Sequence, residues 1–134
     1  MTTDFEAVQA SYGRCLRDRK FIARFYELLL EKDPEIRRMF ERTDWSKQQK
    51  ALRRGISIAL THAGGSPMVK RSMDEMAGAH SREGRCPVRP ELYRHWYEAL
   101  LQAVREHETR MTPSLENSWR EALGLTTEQF AVSY

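Results

Sequence analysis

The chain has 134 residues, of which 40% are hydrophobic and 31% are charged, as in a single soluble globular domain, and we expect one domain over residues 1–134. No apolar run approaches the roughly 20 residues of a transmembrane helix and the N-terminal segment is acidic, so we expect a cytoplasmic protein that does not enter membranes. The formal net charge is +3, but basic residues are spread along the chain among 19 acidic ones, which argues against a nucleic-acid-binding surface.

Helical periodicity runs through the N-terminal third of the chain. Apolar residues recur at helical spacing over residues 4–16, and from Lys20 a second segment carries the wide apolar arc of a helix packed on two sides. The sequence D-P-E at 33–35 predicts the start of a short helix that ends at Phe40, because Asp caps and Pro occupies the first turn. Residues 41–46 are polar and irregular.

Ser46 is predicted to cap the next helix, with Gln49 completing a capping box. The glycine pair at 64–65 is predicted to end this helix. Its inner line comprises Gln48, Leu52, Ile56 and Ala59. Gln48 therefore faces inward at the head of an apolar line, a position that is also compatible with a surface residue beside the core.

Another helix is predicted to begin at residues 66–67, and its apolar stripe is formed by Val69, Met73, Met76 and His80. The glycine, cysteine and proline after His80 interrupt the helix, and the Pro-Glu pair at 90–91 opens the next one. The last helix is predicted to begin at the Thr-Pro pair at 112–113. Because no segment alternates with a period of two, the sequence predicts an all-α fold.

His80 closes an apolar stripe without a polar neighbour. A histidine in that position either completes a core helix or binds a metal centre such as a haem iron from below. Its position alone favours the core reading.

Three motifs resemble those of the single-domain bacterial globins and the globin module of flavohaemoglobins. They are F-Y-E-L-L-L-E-K-D-P-E-I-R-R-M-F (25–40), H-S-R-E-G-R-C-P-V-R-P-E-L-Y (80–93) and L-E-N-S-W-R-E-A-L-G (115–124). The resemblance implies a globin fold, a somewhat shortened 3-over-3 helical sandwich around a haem pocket.

The resemblance also implies roles for individual residues. His80 matches the axial iron ligand, while Tyr26 and Gln48 match the residues that stabilise a bound ligand on the opposite face of the haem. The expected haem contacts are Phe40, Leu52, Met76, Val88 and Tyr93. The arginines Arg82, Arg85 and Arg89 are candidates for binding the haem propionates, because a guanidinium binds a carboxylate through two hydrogen bonds. Solvent-exposed arginines without a partner are the alternative.

Three features depart from the family pattern. The connection between Phe40 and Gln48 is about two residues short, which leaves Lys47 or Gln49 as alternative residues facing the iron. The loop after His80 is about three residues longer. The glutamate that flavohaemoglobins place in the last helix is missing, and we expect its position to fall on Tyr134.

The resemblance implies a non-covalently bound haem b, because the chain contains no C-x-x-C-H motif. The expected ligands are dioxygen and nitric oxide, and nitric-oxide dioxygenation would require a separate reductase. The alternative is a gas or redox sensor that acts in trans on a partner protein. A globin-fold interaction protein without haem is a third reading.

Overall fold

Seven α-helices form the protein in the computed structural model, which describes residues 3–134. They are α1 (Phe5–Cys15), α2 (Lys20–Leu30), α3 (Pro34–Met39), α4 (Trp45–Ala63), α5 (Lys70–Ala79), α6 (Tyr93–His107) and α7 (Pro113–Val132). Two short 3-10 helices, Pro67–Val69 and Pro90–Leu92, lead into α5 and α6. Strands are absent from the described residues, so the all-α prediction is confirmed. Residues 1 and 2 of the expected domain lie outside this description.

None of the helices within residues 3–134 combines the length and the apolar composition that a bilayer crossing requires.

The helices pack in pairs, with α2 against α6 and α1 against α7, while α4 contacts both α1 and α7. The wide apolar arc predicted for α2 is confirmed, because the buried residues of this helix lie on two adjacent sides of it. The fully buried core includes Phe21, Phe25, Leu100, Val104 and Trp119. On α6, Ala99 and Ala103 are fully buried as well, and their small side chains allow close helix approach.

Helix starts agree with the sequence at three of the four predicted positions. Ser66 caps the short 3-10 helix that leads into α5, where its hydroxyl accepts a hydrogen bond from Met68 N. Asp33 accepts a hydrogen bond from Glu35 N, and Thr112 accepts one from Leu115 N, as predicted. The prediction that Ser46 caps α4 is wrong. Asp44 caps α4 instead, because its carboxylate reaches the amide of Lys47 at 3.3 Å.

A buried polar network joins α1 to α7 through the segment that follows α6. The Glu108 carboxylate is fully buried and accepts hydrogen bonds from Arg14 at 2.8 Å and from the Ser11 hydroxyl at 2.5 Å. Trp119 Nε1 donates to the same Ser11 oxygen at 2.9 Å. Burial opposes ionisation of Glu108, but the hydrogen bonds from Arg14 and Ser11 outweigh it and lower the pKa to about 2.

The substitution Glu108→Gln should lower the free energy of unfolding by about 2–4 kcal/mol, because it removes a charge-assisted buried pair. The wild type should lose this contribution as the pH falls from 4.5, the ordinary value, through about 2, since the unfolded carboxyl protonates first. In the variant, the free energy of unfolding should fall less steeply over this acidic pH range. Urea unfolding at several pH values measures both effects.

Glu106→Gln is the matched control. Glu106 also bonds an arginine, Arg24, but this pair is partly solvent-exposed. We expect a loss below about 1 kcal/mol for the control. Equal losses in the two variants would show that burial of Glu108 adds nothing to stability.

Candidate functional site

A cavity of about 210 Å³ opens between α2, α3, α4, α5, α6 and α7. A single water needs only about 10–15 Å³ of such volume, so this space is far larger than a packing defect. Its lining is mainly apolar. It includes eight of the residues that the sequence singled out, namely Tyr26, Phe40, Gln48, Leu52, Met76, His80, Val88 and Tyr93.

His80 follows the last residue of α5, and its ring is held in one orientation. Its Nδ1 lies 2.7 Å from the carbonyl oxygen of Met76, one turn earlier. Because a carbonyl oxygen can only accept, Nδ1 must carry the hydrogen, which leaves the lone pair of the imidazole on Nε2. His80 therefore lines the cavity in the tautomer that a metal-binding histidine requires.

Phe130 of α7 packs against the rings of His80 and Tyr93. Its ring lies 5.3 Å from the His80 ring and 5.7 Å from the Tyr93 ring. Tyr134, the position at which we expect the glutamate that is missing from the family pattern, carries the Arg82 guanidinium 5.0 Å from the centroid of its ring.

Tyr93 contributes an unsatisfied polar group to the same wall. Its hydroxyl is buried and has no hydrogen-bond partner among the described residues. Burial raises the pKa of this phenol to about 12, so it is neutral across the physiological range. A buried hydroxyl without a partner costs about 1–3 kcal/mol, which a bound molecule or water could recover.

Tyr26 and Gln48 form a polar pair on the lining. Gln48 Nε2 donates a hydrogen bond to the Tyr26 phenol oxygen at 3.0 Å. The phenol proton is consequently not used in this bond and can be donated to a molecule in the cavity. Burial raises the pKa of Tyr26 to about 12, although the bond from Gln48 lowers it in part, so Tyr26 remains a donor.

Three aromatic rings surround Tyr26. Phe25, Phe40 and Trp45 lie 5.0 to 5.7 Å from it in edge-on geometry, and Phe40 stacks on Trp45. Trp45 has no predicted role in the site because it stands in a polar segment of the sequence. Only its closeness in sequence to Phe40 indicates that the two rings could meet.

The alternatives to Gln48 are placed elsewhere. Lys47 is exposed, and neither Lys47 nor Gln49 belongs to the lining of the cavity. Because α4 begins at Trp45, Gln48 lies in its first turns, where it lines the cavity.

The loop over residues 81–89 is folded back onto the end of α5. Cys86 N donates to Ala79 O at 3.0 Å, and Val88 N donates to His80 O at 3.0 Å. These bonds use carbonyl groups that the end of a helix leaves free. The longer loop therefore supports the backbone of His80 and delivers Val88 to the cavity.

Gly84 permits this folding. A Cβ atom at Gly84 would lie 2.3 Å from the carbonyl oxygens of Gly78 and Ala79, which is too close for any side chain. Only glycine fits between the loop and the helix end.

The three predicted arginines lie outside the lining of the cavity, and all are exposed. Arg89 forms two hydrogen bonds with Glu35, at 2.5 and 3.0 Å, and one with Glu91. Arg82 lies over Tyr134. Arg85 forms no ion pair among the described residues.

Comparison with known proteins gives two matches. The family model described as Globin matches residues 23–130. A solved structure from Pseudomonas aeruginosa PAO1, described as structurally highly homologous to a human hemoglobin, aligns with a TM-score of 0.90 and 33% identity. The alignment covers 97% of each chain. No curated protein matches the chain.

The substitution Gly84→Ala should lower the free energy of unfolding by about 1–3 kcal/mol, because the added methyl group forces the loop away from α5. Gly78→Ala is the control, since a Cβ at this helical position has nothing within 4 Å. The control should be neutral or slightly stabilising. Chemical unfolding measures both variants, and a neutral Gly84→Ala would contradict the assigned contact.

Proposed function

The chain belongs to the globin family, and we propose that it holds one haem b, whose iron His80 would bind, and that it binds dioxygen or nitric oxide beside Tyr26 and Gln48. One observation carries this proposal. A single cavity is lined both by an imidazole with a free Nε2 lone pair and by a hydrogen-bonded phenol and amide.

The residues present fit a haem. Haem iron supplies a coordination position for a diatomic ligand when a protein nitrogen occupies another. The chain would hold the group without a covalent link, through the His80 nitrogen and the apolar side chains of Phe40, Leu52, Met76 and Val88. The Met76 carbonyl orients the imidazole ring and keeps its proton on Nδ1, so that Nε2 is free to bind the iron.

Among the three arginines, we favour Arg85 as the partner of a haem propionate. Arg89 would bind a propionate only by giving up its pair with Glu35. Arg82 is already engaged with the Tyr134 ring. A guanidinium without a carboxylate partner binds a propionate with no such exchange.

Tyr26 is the principal donor to the ligand in this proposal, and Gln48 acts through it. The amide of Gln48 donates to the phenol oxygen, so the phenol proton is available to the ligand. A hydrogen bond to a partly charged ligand in a dry pocket contributes about 1–3 kcal/mol. Gln48 therefore orients the phenol and polarises its O–H bond.

Nitric-oxide dioxygenation is the enzymatic form of this proposal. It combines one nitric oxide, one dioxygen and one electron from a separate reductase to give nitrate. The ratio of nitrate to haem, measured with a supplied reductase, distinguishes many turnovers from one.

Replacing Tyr26 with Phe should speed dioxygen dissociation at least about tenfold, because about 1.4 kcal/mol or more of ligand stabilisation is lost. Stopped-flow mixing of the oxygenated protein with a dioxygen scavenger measures this rate. Tyr97→Phe removes the same hydroxyl outside the cavity lining and should leave the rate within about twofold. An unchanged rate in Tyr26→Phe would remove Tyr26 from the ligand site.

A further inference from the structure

The corner where α3 joins α4 carries an unusual concentration of positive charge. Residues 37–54 contain seven basic and two acidic residues, a net charge of +5 against +3 for the whole chain. All seven basic side chains are exposed, and none takes part in an ion pair in the described part of the chain. We call these seven side chains the corner patch.

The two helix ends that carry the corner patch are held together. Phe40 and Trp45 stack with their centroids 5.6 Å apart and their planes 19° apart, which fixes the end of α3 against the start of α4. On α4, Lys47, Lys50 and Arg54 share one face within about 10 Å of helix length.

The corner patch also adjoins the cavity. Met39 lines the cavity yet is 42% exposed, so one side chain separates the cavity from solvent at this point. Gln48 and Ala51, which alternate with the basic residues of α4, line the cavity as well. Trp45, 36% exposed, lies at the centre of the corner.

We propose that the corner patch is the docking surface of an acidic electron-transfer protein. This inference rests on the proposed function, because only a protein with a redox group in the cavity needs such a partner. Seven unpaired cations attract an acidic surface over long range and can raise its association rate by 10 to about 1,000-fold. The exposed Trp45 and Met39 among arginines have the composition of a protein interface core.

A protein partner explains these features better than a nucleic acid or a membrane. A base-stacking platform needs a free aromatic face, whereas Phe40 covers one face of the Trp45 indole. Insertion into a membrane surface requires a continuous apolar helix face. Here Trp45 and Met39 are isolated among charges.

Binding of a strongly acidic flavodoxin to the haem-loaded ferric protein tests the proposal. Isothermal titration at about 20 and about 200 mM salt gives the dissociation constant and its dependence on screening. The test variant combines Lys47→Glu, Lys50→Glu and Arg54→Glu. The matched control combines Arg17→Glu, Arg19→Glu and Lys20→Glu, which are also exposed, form no ion pair within residues 3–134 and lie at or just before the start of α2.

Both triple variants change the net charge from +3 to −3, so only position distinguishes them. We expect salt-sensitive binding that the corner-patch variant weakens at least about tenfold and the control weakens much less. Equal weakening in both variants, or no binding by the wild type, would overturn the proposal. Tighter binding of a DNA duplex or an anionic lipid vesicle through the corner patch would overturn it as well.

The haem absorption spectrum keeps this test separate from the proposed function. A corner-patch variant with an unchanged Soret band and weakened flavodoxin binding supports the docking surface. A protein that takes up no haem contradicts the proposed function instead.

Discussion

The hydrogen bond between His80 Nδ1 and the Met76 carbonyl is the interaction on which the site depends. It sets the tautomer of the imidazole, so the lone pair of Nε2 is available to a metal. Two further contacts hold the same residue, the Phe130 ring against the imidazole and the Val88 amide on the His80 carbonyl. A histidine fixed at its ring and its backbone loses little freedom on binding, which favours a defined ligand geometry.

The stability of the protein and the chemistry of the cavity come from different parts of the fold. The cavity removes packing contacts among the helices that line it, and the Tyr93 hydroxyl in its wall has no hydrogen-bond partner in the part of the chain that the structure describes. The compensating contacts lie elsewhere, in the core of α2 and α6 and in the buried network around Glu108. The ligand pocket can therefore remain open while the helical frame stays rigid.

Much of the fold and several placements in the site could be predicted from the sequence. The helix boundaries at residues 33–35 and 112–113 follow from local capping chemistry, and the inner line from Gln48 through Ala59 follows from helical period. The family motifs placed His80 at the end of its helix. These features depend on residues close together in sequence, where propensity and spacing are informative.

Features that depend on long-range packing could not be predicted. Phe130 meets His80 only because of the course of α7, and the Ser11 to Glu108 bond joins residues 97 apart in the sequence. The choice of Asp44 over Ser46 as the cap of α4 follows from the short connection after Phe40, which also brings Trp45 onto that ring. No pattern of neighbouring residues in the sequence predicts these contacts.

Ferrous absorption spectra after haem addition, with the wild type compared to His80→Gly, test whether His80 binds the iron. We expect one haem per wild-type chain, a changed spectrum in His80→Gly and recovery of the wild-type spectrum when imidazole is added. His62→Gly, at a histidine outside the cavity lining, should match the wild type. An unchanged spectrum in His80→Gly would contradict the account, because the iron would then have another axial ligand.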